Sequence, residues 1–448
     1  MCRVSRVQGA VDVSLVTPPD KPLTLHAPKV DRESMPTPKP LRIPAFRRLA
    51  TSYTLNELGW GFGTVALAVL VFERTGSAMA TTLLFLSTTF LPALLAPVLT
   101  AHLDRIAVRR TLPGLYLIEA LLFAFLIVVA ERFWLPAVLL LALADGAIAI
   151  AGRALTRAAV ASALKPSGSL AAGNKLLNVL FSVAFAAGPA LAGAVIHVAG
   201  VSASLGLTAL LFTVMALVLA TSRDLPAGRP EPDRSWSERL RGGLRYVRRN
   251  RAVRRVLGVH AAALSLAAAA TPIEVVYAAE SLDAGPAAYG LLLGVWGAGT
   301  VLSSVGLARA RRAPALWLIP LGASSIGLGF LTMAVAPSLS VALAGCLVGG
   351  AGNGVYYVSV VQALQERIDD EFLARVMGLL ESTTAASYGA GFLLGGVLTA
   401  LADARLALAV AGSGILLAAA VIVLLIRGDH HGFRRPGAQI SPQPEPAR

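Results

Sequence analysis

The sequence predicts an all-α integral membrane protein with about twelve transmembrane helices in two six-helix halves. Hydrophobic residues make up 56% of the chain and charged residues only 14%, whereas soluble proteins carry about 25% charged residues. The apolar residues also form runs of about 20, the length with which an α-helix crosses a bilayer. Lipid cannot satisfy the backbone polar groups of an open strand, so the runs are predicted to be helices.

The apolar runs follow one another along most of the chain. They lie at about residues 48–72, 79–103, 112–130, 134–156, 172–198, 203–222, 254–278, 287–308, 314–335, 339–363, 376–400 and 405–426. The longest polar interruption separates the first six from the last six. We therefore expect an N-terminal half at 45–222, a cytoplasmic central loop at 223–250 and a C-terminal half at 251–426. A duplicated six-helix unit would explain this division.

Both ends of the chain are predicted to be cytoplasmic tails. Residues 1–44 are rich in proline and lack the apolar core of a signal peptide, so we expect a disordered N-terminal tail. Residues 427–448 form the C-terminal tail. Translation could also start at Met35, which would shorten the first tail without changing the spans.

Positive charge is distributed unequally between alternate loops. Of the 39 Lys and Arg residues, only Arg74, Arg132 and Arg405 fall in the loops assigned to the external side. Cytoplasmic loops of membrane proteins are enriched in these residues. We therefore expect a multi-pass protein of the inner (cytoplasmic) membrane with both termini cytoplasmic. The net charge of +14 then reflects topology and contact with anionic lipids, rather than nucleic-acid binding.

The two halves contain similar segments. Ala186–Gly193 in span five aligns with Gly389–Gly396 in span eleven, and Thr82–Leu84 in span two aligns with Gly290–Leu292 in span eight. Chance matching of small residues is the alternative. Because an even number of spans separates the copies, they have the same orientation and imply a pseudo-two-fold axis along the membrane normal. The substrate site is then expected between the halves near the membrane midplane.

Short motifs at the ends of the spans, or inside them, carry a family resemblance. They are Thr75-Gly76-Ser77-Ala78, Asp104-Arg105 with Arg109-Arg110, Gly188-Pro189 with Gly193, Gly242-Gly243-Leu244-Arg245 and Tyr289-Gly290-Leu291. In this order they resemble the major facilitator superfamily, especially its bacterial branch of enterobactin-exporter-like and macrolide-efflux-like proteins. The resemblance covers roughly residues 45–426. It departs from the usual cytoplasmic signature at Thr100 and Ala107, where glycine is common.

The resemblance implies roles for three groups of residues. The cytoplasmic gate would consist of Asp104, Arg105, Arg109 and Arg110. Asp104 would latch the outward-open state near the N-terminal end of span eleven, where the helix dipole favours an acid. Proline removes a backbone hydrogen bond, so Gly188, Pro189 and Gly193 would kink span five. Arg153 is similar to the span-four arginine of proton antiporters.

Acidic residues inside the spans are the strongest local signal, because a buried membrane charge is costly and tends to be functional. They are Glu57, Glu119, Asp145, Glu274 and Glu381. Burial favours the protonated form of a carboxyl group, so such a group can exchange a proton near neutral pH. We interpret Glu57 and Asp145, together with Arg153, as proton-coupling candidates. For the other three, function and structural charge pairing are equally balanced.

Polar and aromatic residues recur at helical spacing in several spans, which places each set on one helix face. A face of this kind is expected to line a cavity, although hydrogen bonds between helices are the alternative. The resulting substrate-cavity candidates are Tyr53, Trp60, Asn178, Glu274, Asn353, Tyr357, Glu381 and Tyr388.

These observations predict a secondary active transporter, specifically a proton-coupled exporter of a small amphipathic or hydrophobic molecule. A proton-coupled importer has the same fold and remains the alternative. A membrane-embedded enzyme is a more remote alternative, because Asp369-Asp370-Glu371 lacks a second acidic or histidine cluster for a metal. We expect a monomer without catalytic residues, cofactor or metal. Its partners would be the substrate, protons and membrane lipids, and not nucleic acid.

Overall fold

The computed structural model describes residues 40–95, 108–222, 225, 245–309, 314–368 and 370–428. Within these residues, twelve helices are long and apolar enough to cross a membrane, which confirms the predicted all-α membrane fold. The same residues contain no strand. The helices are α1 (Pro44–Thr75), α2 (Ala78–Leu95), α3 (Val108–Glu131), α4 (Leu135–Leu164), α5 (Leu170–Ala199), α6 (Val201–Ala220), α7 (Arg251–Val276), α8 (Gly285–Arg309), α9 (Ala315–Ala334), α10 (Leu339–Gln365), α11 (Asp370–Leu401) and α12 (Ala404–Gly428).

The sequence motif between α1 and α2 is a pair of helix caps. Gly76 has a φ of 58° and donates its backbone N–H to the carbonyl oxygen of Phe72, which ends α1. This left-handed conformation favours glycine. The Ser77 side chain then accepts a hydrogen bond from the N–H of Ala80 at 3.2 Å and begins α2. The motif therefore sets a tight connection between the first two spans.

Helix α4 extends beyond its predicted end at residue 156 and reaches Leu164. The additional turns consist mainly of alanine, leucine and arginine, which are strong helix formers. The helix ends just before Pro166, which disfavours helical backbone in the residue that precedes it. Arg157 therefore lies on a helix face and not at a helix end.

Helix α2 contains a π-helical turn at Leu86–Phe90. Glycines on both neighbouring helices face this turn. A side chain at Gly146 of α4 would clash with the Thr88 carbonyl, and one at Gly389 of α11 would clash with the Phe90 ring. The turn thus lies between an N-terminal and a C-terminal helix, and such turns often mark functional sites.

Helix contacts in the two halves correspond to one another. In the N-terminal half, α1 packs on α5 and α6, and α3 packs on α6. In the C-terminal half, α7 packs on α11 and α12, and α9 packs on α12. The predicted duplication of a six-helix unit requires this correspondence, because each helix of the second half lies six places after its counterpart in the first. The main contacts between the halves, α5 with α8 and α2 with α11, also form an equivalent pair.

The halves touch at the end of the bundle away from the chain termini. Gly193 of α5 meets Gly290 of α8, and Phe85 of α2 packs on Phe392 of α11 with ring centroids 5.6 Å apart. Towards the opposite end, none of α1, α4 and α5 packs extensively on α10 or α11 in the described part of the chain. At that end a space separates α1, α4 and α5 of the N-terminal half from α10 and α11 of the C-terminal half. We call this space the cleft.

Candidate functional site

The N-terminal half encloses a set of charged side chains that we call the carboxyl cluster: Glu57 of α1, Glu119 of α3, and Asp145 and Arg153 of α4. Glu57 is 2% exposed and Glu119 is 0% exposed, whereas Asp145 is half-buried. Arg153 lies within electrostatic range of all three carboxyl groups. The structure thus brings together the three proton-coupling candidates and adds Glu119 to them.

Several carboxyl oxygens in the cluster have no hydrogen-bond partner among the described residues. They are Oε1 of Glu57, both oxygens of Glu119 and Oδ1 of Asp145. An unpaired buried carboxylate is costly in a medium of low dielectric. The arrangement is therefore suited to gaining and losing a proton and is poorly suited to holding fixed charges.

Small residues of α1 and α4 allow the helices around the cluster to approach each other. A Cβ at Gly63 would lie 2.8 Å from the Phe123 ring, and one at Gly152 would lie 3.7 Å from the Tyr116 ring. The hydroxyl groups of Tyr116 and Thr156 are 3.2 Å apart and join α3 to α4. This packing places the side chains of α1, α3 and α4 around one buried space.

The aromatic residues of α1 and α5 form a stack beside the cluster. Trp60 is 37% exposed, and its ring stacks on Phe185 at a centroid distance of 5.9 Å. Phe185 stacks in turn on Phe181 at 5.6 Å. Asn178 is exposed one turn away on α5. Phe181 and Phe185 were not among the cavity residues predicted from the sequence, although their spacing with Asn178 along one face of α5 is a usable signal.

The C-terminal half contributes Tyr357, Glu381 and Tyr388 to the cleft region. Tyr357 and Glu381 are exposed, and Tyr388 is partly buried. Glu381 interacts electrostatically with both tyrosines, and Arg157 of the N-terminal half lies within electrostatic range of Tyr357. Residues of α4 and α10 therefore face each other across the cleft.

The other cavity candidates lie elsewhere. Tyr53 is buried in the N-terminal half. Asn353 donates to the Thr300 hydroxyl at 3.5 Å, which is a contact between α10 and α8. Glu274 is buried in the C-terminal half within electrostatic range of Tyr289 and Cys346. The structure does not bring Glu274 to the carboxyl cluster.

A buried histidine forms a second polar centre in the C-terminal half. His260 of α7 is 1% exposed. Its Nε2 lies 3.0 Å from the Thr384 hydroxyl of α11, and its Nδ1 lies 3.4 Å from the Tyr356 hydroxyl of α10. His260 was not among the functional residues predicted from the sequence. An ionisable side chain inside a span was the available signal, but only the acidic residues were predicted from it.

The structure describes two of the four residues predicted to form the gate and all three residues predicted to kink span five. Asp104 and Arg105 lie outside the described residues, as do residues 1–39 of the predicted tail and most of the central loop. The last residues of the predicted tail are ordered, with a 3₁₀ turn at Pro40–Arg42 before α1. The gate arginines Arg109 and Arg110 are exposed in the first turn of α3. Gly188 and Pro189 pack against Gly61 of α1, where an added Cβ would lie 2.9 Å from the Gly188 carbonyl carbon.

Comparisons with known proteins agree with this architecture. Residues 36–430 match the family described as transmembrane secretion effector. The multidrug efflux pump Tap of Mycobacterium tuberculosis and that of Mycobacterium bovis are each 27% identical over 373 residues, covering 80% of this chain and 87% of the relative.

Solved transporters share the fold at low sequence identity. The nucleoside transporter NupG has a TM-score of 0.70 at 13% identity, covering 86% of this chain and 99% of its own. A bacterial homologue of the human lysosomal transporter Spinster, in an inward-facing and occupied conformation, has a TM-score of 0.65 at 14% identity, covering 87% and 97%.

Proposed function

Because this chain belongs to the transmembrane secretion effector family of the major facilitator superfamily, we propose that it exports a small amphipathic or hydrophobic molecule in exchange for protons. Membership of the family makes it a multi-pass membrane transporter and not an enzyme. Export is supported by the relatives that are multidrug efflux pumps. The inner membrane is the proposed location, with both termini cytoplasmic and the protein acting as a monomer.

The observation that carries proton coupling is the carboxyl cluster. Four of its six carboxyl oxygens are buried and lack hydrogen-bond partners in the described part of the chain. A carboxyl group in this setting is stable when it is neutral, and when it is ionised it needs a nearby cation. Arg153 supplies that cation in our proposal. Glu57 and Asp145 would take up and release the proton.

The aromatic stack supports the proposed class of substrate. Trp60 presents a partly exposed ring inside the membrane, backed by Phe185. Stacked aromatic rings bind planar apolar groups, and their faces attract cations. Asn178 on the same side, with Tyr357 and Glu381 across the cleft, would provide the few polar contacts that orient an amphipathic molecule.

The contacts between the halves suggest which state the structure represents. The halves meet at the end away from the termini. With cytoplasmic termini, this is the external end, and the cleft opens to the cytoplasm. In our proposal, substrate enters the cleft in this state and leaves it after the halves rock to the outward-open state. A proton bound from outside then accompanies the return.

The experiment that tests this function measures proton and substrate movement in proteoliposomes. The purified full-length protein is reconstituted with an entrapped pH-sensitive dye and supplied with a panel of fluorescent lipophilic cations and neutral hydrophobic compounds. Exchange predicts that protons move against the direction of the substrate. Movement in the same direction would identify an importer. No substrate-dependent proton movement with any compound would refute proton coupling.

A further inference from the structure

Glu119 lies in an apolar wall of the N-terminal half. Tyr116, Glu119 and Phe123 recur at spacings of three and four, so they share one face of α3. The rings of Tyr116 and Phe123 both stack on Phe212 of α6, at centroid distances of 6.3 and 5.6 Å. Glu119 between them is fully buried, and neither of its oxygens has a described hydrogen-bond partner.

The ionisable groups around Glu119 come from α1 and α4. Asp145 and Arg153 of α4 lie within electrostatic range of it. Glu57 of α1 lies within electrostatic range of Tyr116, which precedes Glu119 by one turn on α3. Helix α6, which packs most extensively on α3, carries no ionisable side chain. It therefore contributes no charge to this environment, although it carries the buried hydroxyl groups of Ser204 and Thr208.

The charges of this region do not balance. Three carboxyl groups face two guanidinium groups, those of Arg153 and the exposed Arg157. Full ionisation would leave one uncompensated negative charge inside the membrane, which is costly. One carboxyl group is therefore expected to be neutral. Glu119 is the most deeply buried of the three and has two unpartnered oxygens.

A bound metal ion would be another way to balance the charge. Across the described residues, however, no three Asp, Glu, His or Cys side chains converge as metal ligands. A proton needs only one oxygen, and the neighbouring rings of Phe123 and Phe212 supply no metal ligand. The geometry therefore favours a proton over a metal ion.

We propose that Glu119 is a third proton-carrying residue of the transporter and exchanges its proton with the cleft through Asp145. This inference rests on the proposed proton coupling. The O–H bond on Glu119 breaks and one on Asp145 forms, directly or through water. Glu119 is left as a carboxylate beside Arg153, and no electrons are exchanged. Asp145 is the more exposed partner and passes the proton on.

Infrared difference spectroscopy of the full-length protein in lipid tests the protonation state without a substrate. A protonated carboxyl group has a C=O stretching band distinct from that of a carboxylate. We expect such a band at neutral pH, and we expect Glu119→Gln to remove it. The matched control is Glu131→Gln, since Glu131 is exposed in the last turn of the same helix. That variant should keep the band.

Deuterium exchange tests the path. Transfer into D2O shifts the band as the proton is replaced, and Asp145→Asn should slow this shift severalfold while leaving the band present.

Thermal unfolding adds a further readout. Replacement of a neutral acid by an amide of the same size should leave the melting temperature unchanged. If Glu119→Gln does not insert, Glu119→Asp should move the band in frequency.

Three results would overturn the inference. The first is that Glu119→Gln leaves every C=O band of the protonated carboxyl groups unchanged. The second is that sodium removes the band at constant pH, and the third is that Asp145→Asn does not slow the exchange of the carboxyl proton for deuterium. These results differ from failure of the proposed function. A wild-type protein without substrate-dependent proton flux refutes proton coupling, whereas normal flux with Glu119 ionised refutes only this inference.

Discussion

Gly193 of α5 and Gly290 of α8 meet with their backbones in contact. A Cβ on Gly290 would lie 2.8 Å from the Cα of Gly193. The internal repeat aligns Gly193 with Gly396 and Gly290 with Thr82, and Thr82 contacts Gly396 across the other junction between the halves. The two junctions are therefore equivalent under the repeat. Both are built on a glycine that leaves no room for a side chain.

We predict that Gly290→Ala weakens the contact between the halves at the end away from the chain termini. The added methyl group would clash with the Pro189 carbonyl, and overpacking of this kind costs about 1–3 kcal/mol. At about 1.4 kcal/mol per factor of ten, the ratio of closed to open states should fall roughly five- to 140-fold. Double electron–electron resonance between spin labels at the exposed Val198 and Leu401 would show a longer distance.

Gly306→Ala is the matched control for this prediction. Gly306 lies on the same helix, and an added Cβ there has no described neighbour within 4 Å. Its distance distribution should equal that of the wild type. Equal distributions for both variants would mean that the α5–α8 junction does not separate during transport.

Glu57→Gln and Asp145→Asn should each abolish most of the proton flux that accompanies substrate, while protein abundance and melting temperature change little. The reason is that each substitution keeps the size of the side chain and removes the exchangeable proton. The flux in proteoliposomes and the amount of inserted protein are measured in parallel. Glu73→Gln is the control, because Glu73 is exposed near the C-terminal end of the same helix as Glu57. Equal losses of flux and abundance would assign both residues a structural role.

Thr384→Val should destabilise the C-terminal half. It removes the hydroxyl group 3.0 Å from His260 Nε2 and leaves a buried ring nitrogen without its partner. Hydrogen bonds between membrane helices contribute about 0.6 kcal/mol on average and up to about 1.7. We expect a melting temperature lower than that of Thr383→Val, whose lost hydroxyl bonds only to Leu379 O within α11. Identical melting temperatures would show that the His260 contact contributes no stability.

The number and order of the helices were predictable because they follow from the lengths of the apolar runs, and the repeat implies that the two halves pair their helices in the same way. The partners of individual polar side chains were not. His260 and Thr384 are 124 positions apart, and periodicity within one helix does not indicate which helix its face will meet. Helix α1 shows the same limit, since Tyr53, Glu57 and Trp60 share one face by their spacings of four and three. Tyr53 and Glu57 are enclosed within the N-terminal half, while Trp60 on the same face is partly exposed beside Phe185.

The stack of Trp60 on Phe185 leads to a prediction about substrate affinity. If an aromatic substrate stacks on the exposed face of Trp60, Trp60→Ala removes that contact, which is worth about 0.5–1.5 kcal/mol beyond the buried area. The Kd of a planar lipophilic cation, for which ethidium is a suitable probe, should rise roughly two- to twelvefold. Trp60→Phe keeps an aromatic face and should recover most of the affinity.

Trp317→Ala controls for the general loss of an indole, because Trp317 is exposed on α9, outside the cleft. Equilibrium binding of radiolabelled ethidium to the detergent-solubilised protein gives the Kd without any transport step. An increase in Kd confined to Trp60→Ala would locate the substrate at the aromatic stack. The same Kd for Trp60→Ala and the wild type would place the bound ligand elsewhere, because a ring that contacts it cannot be removed without loss of binding free energy.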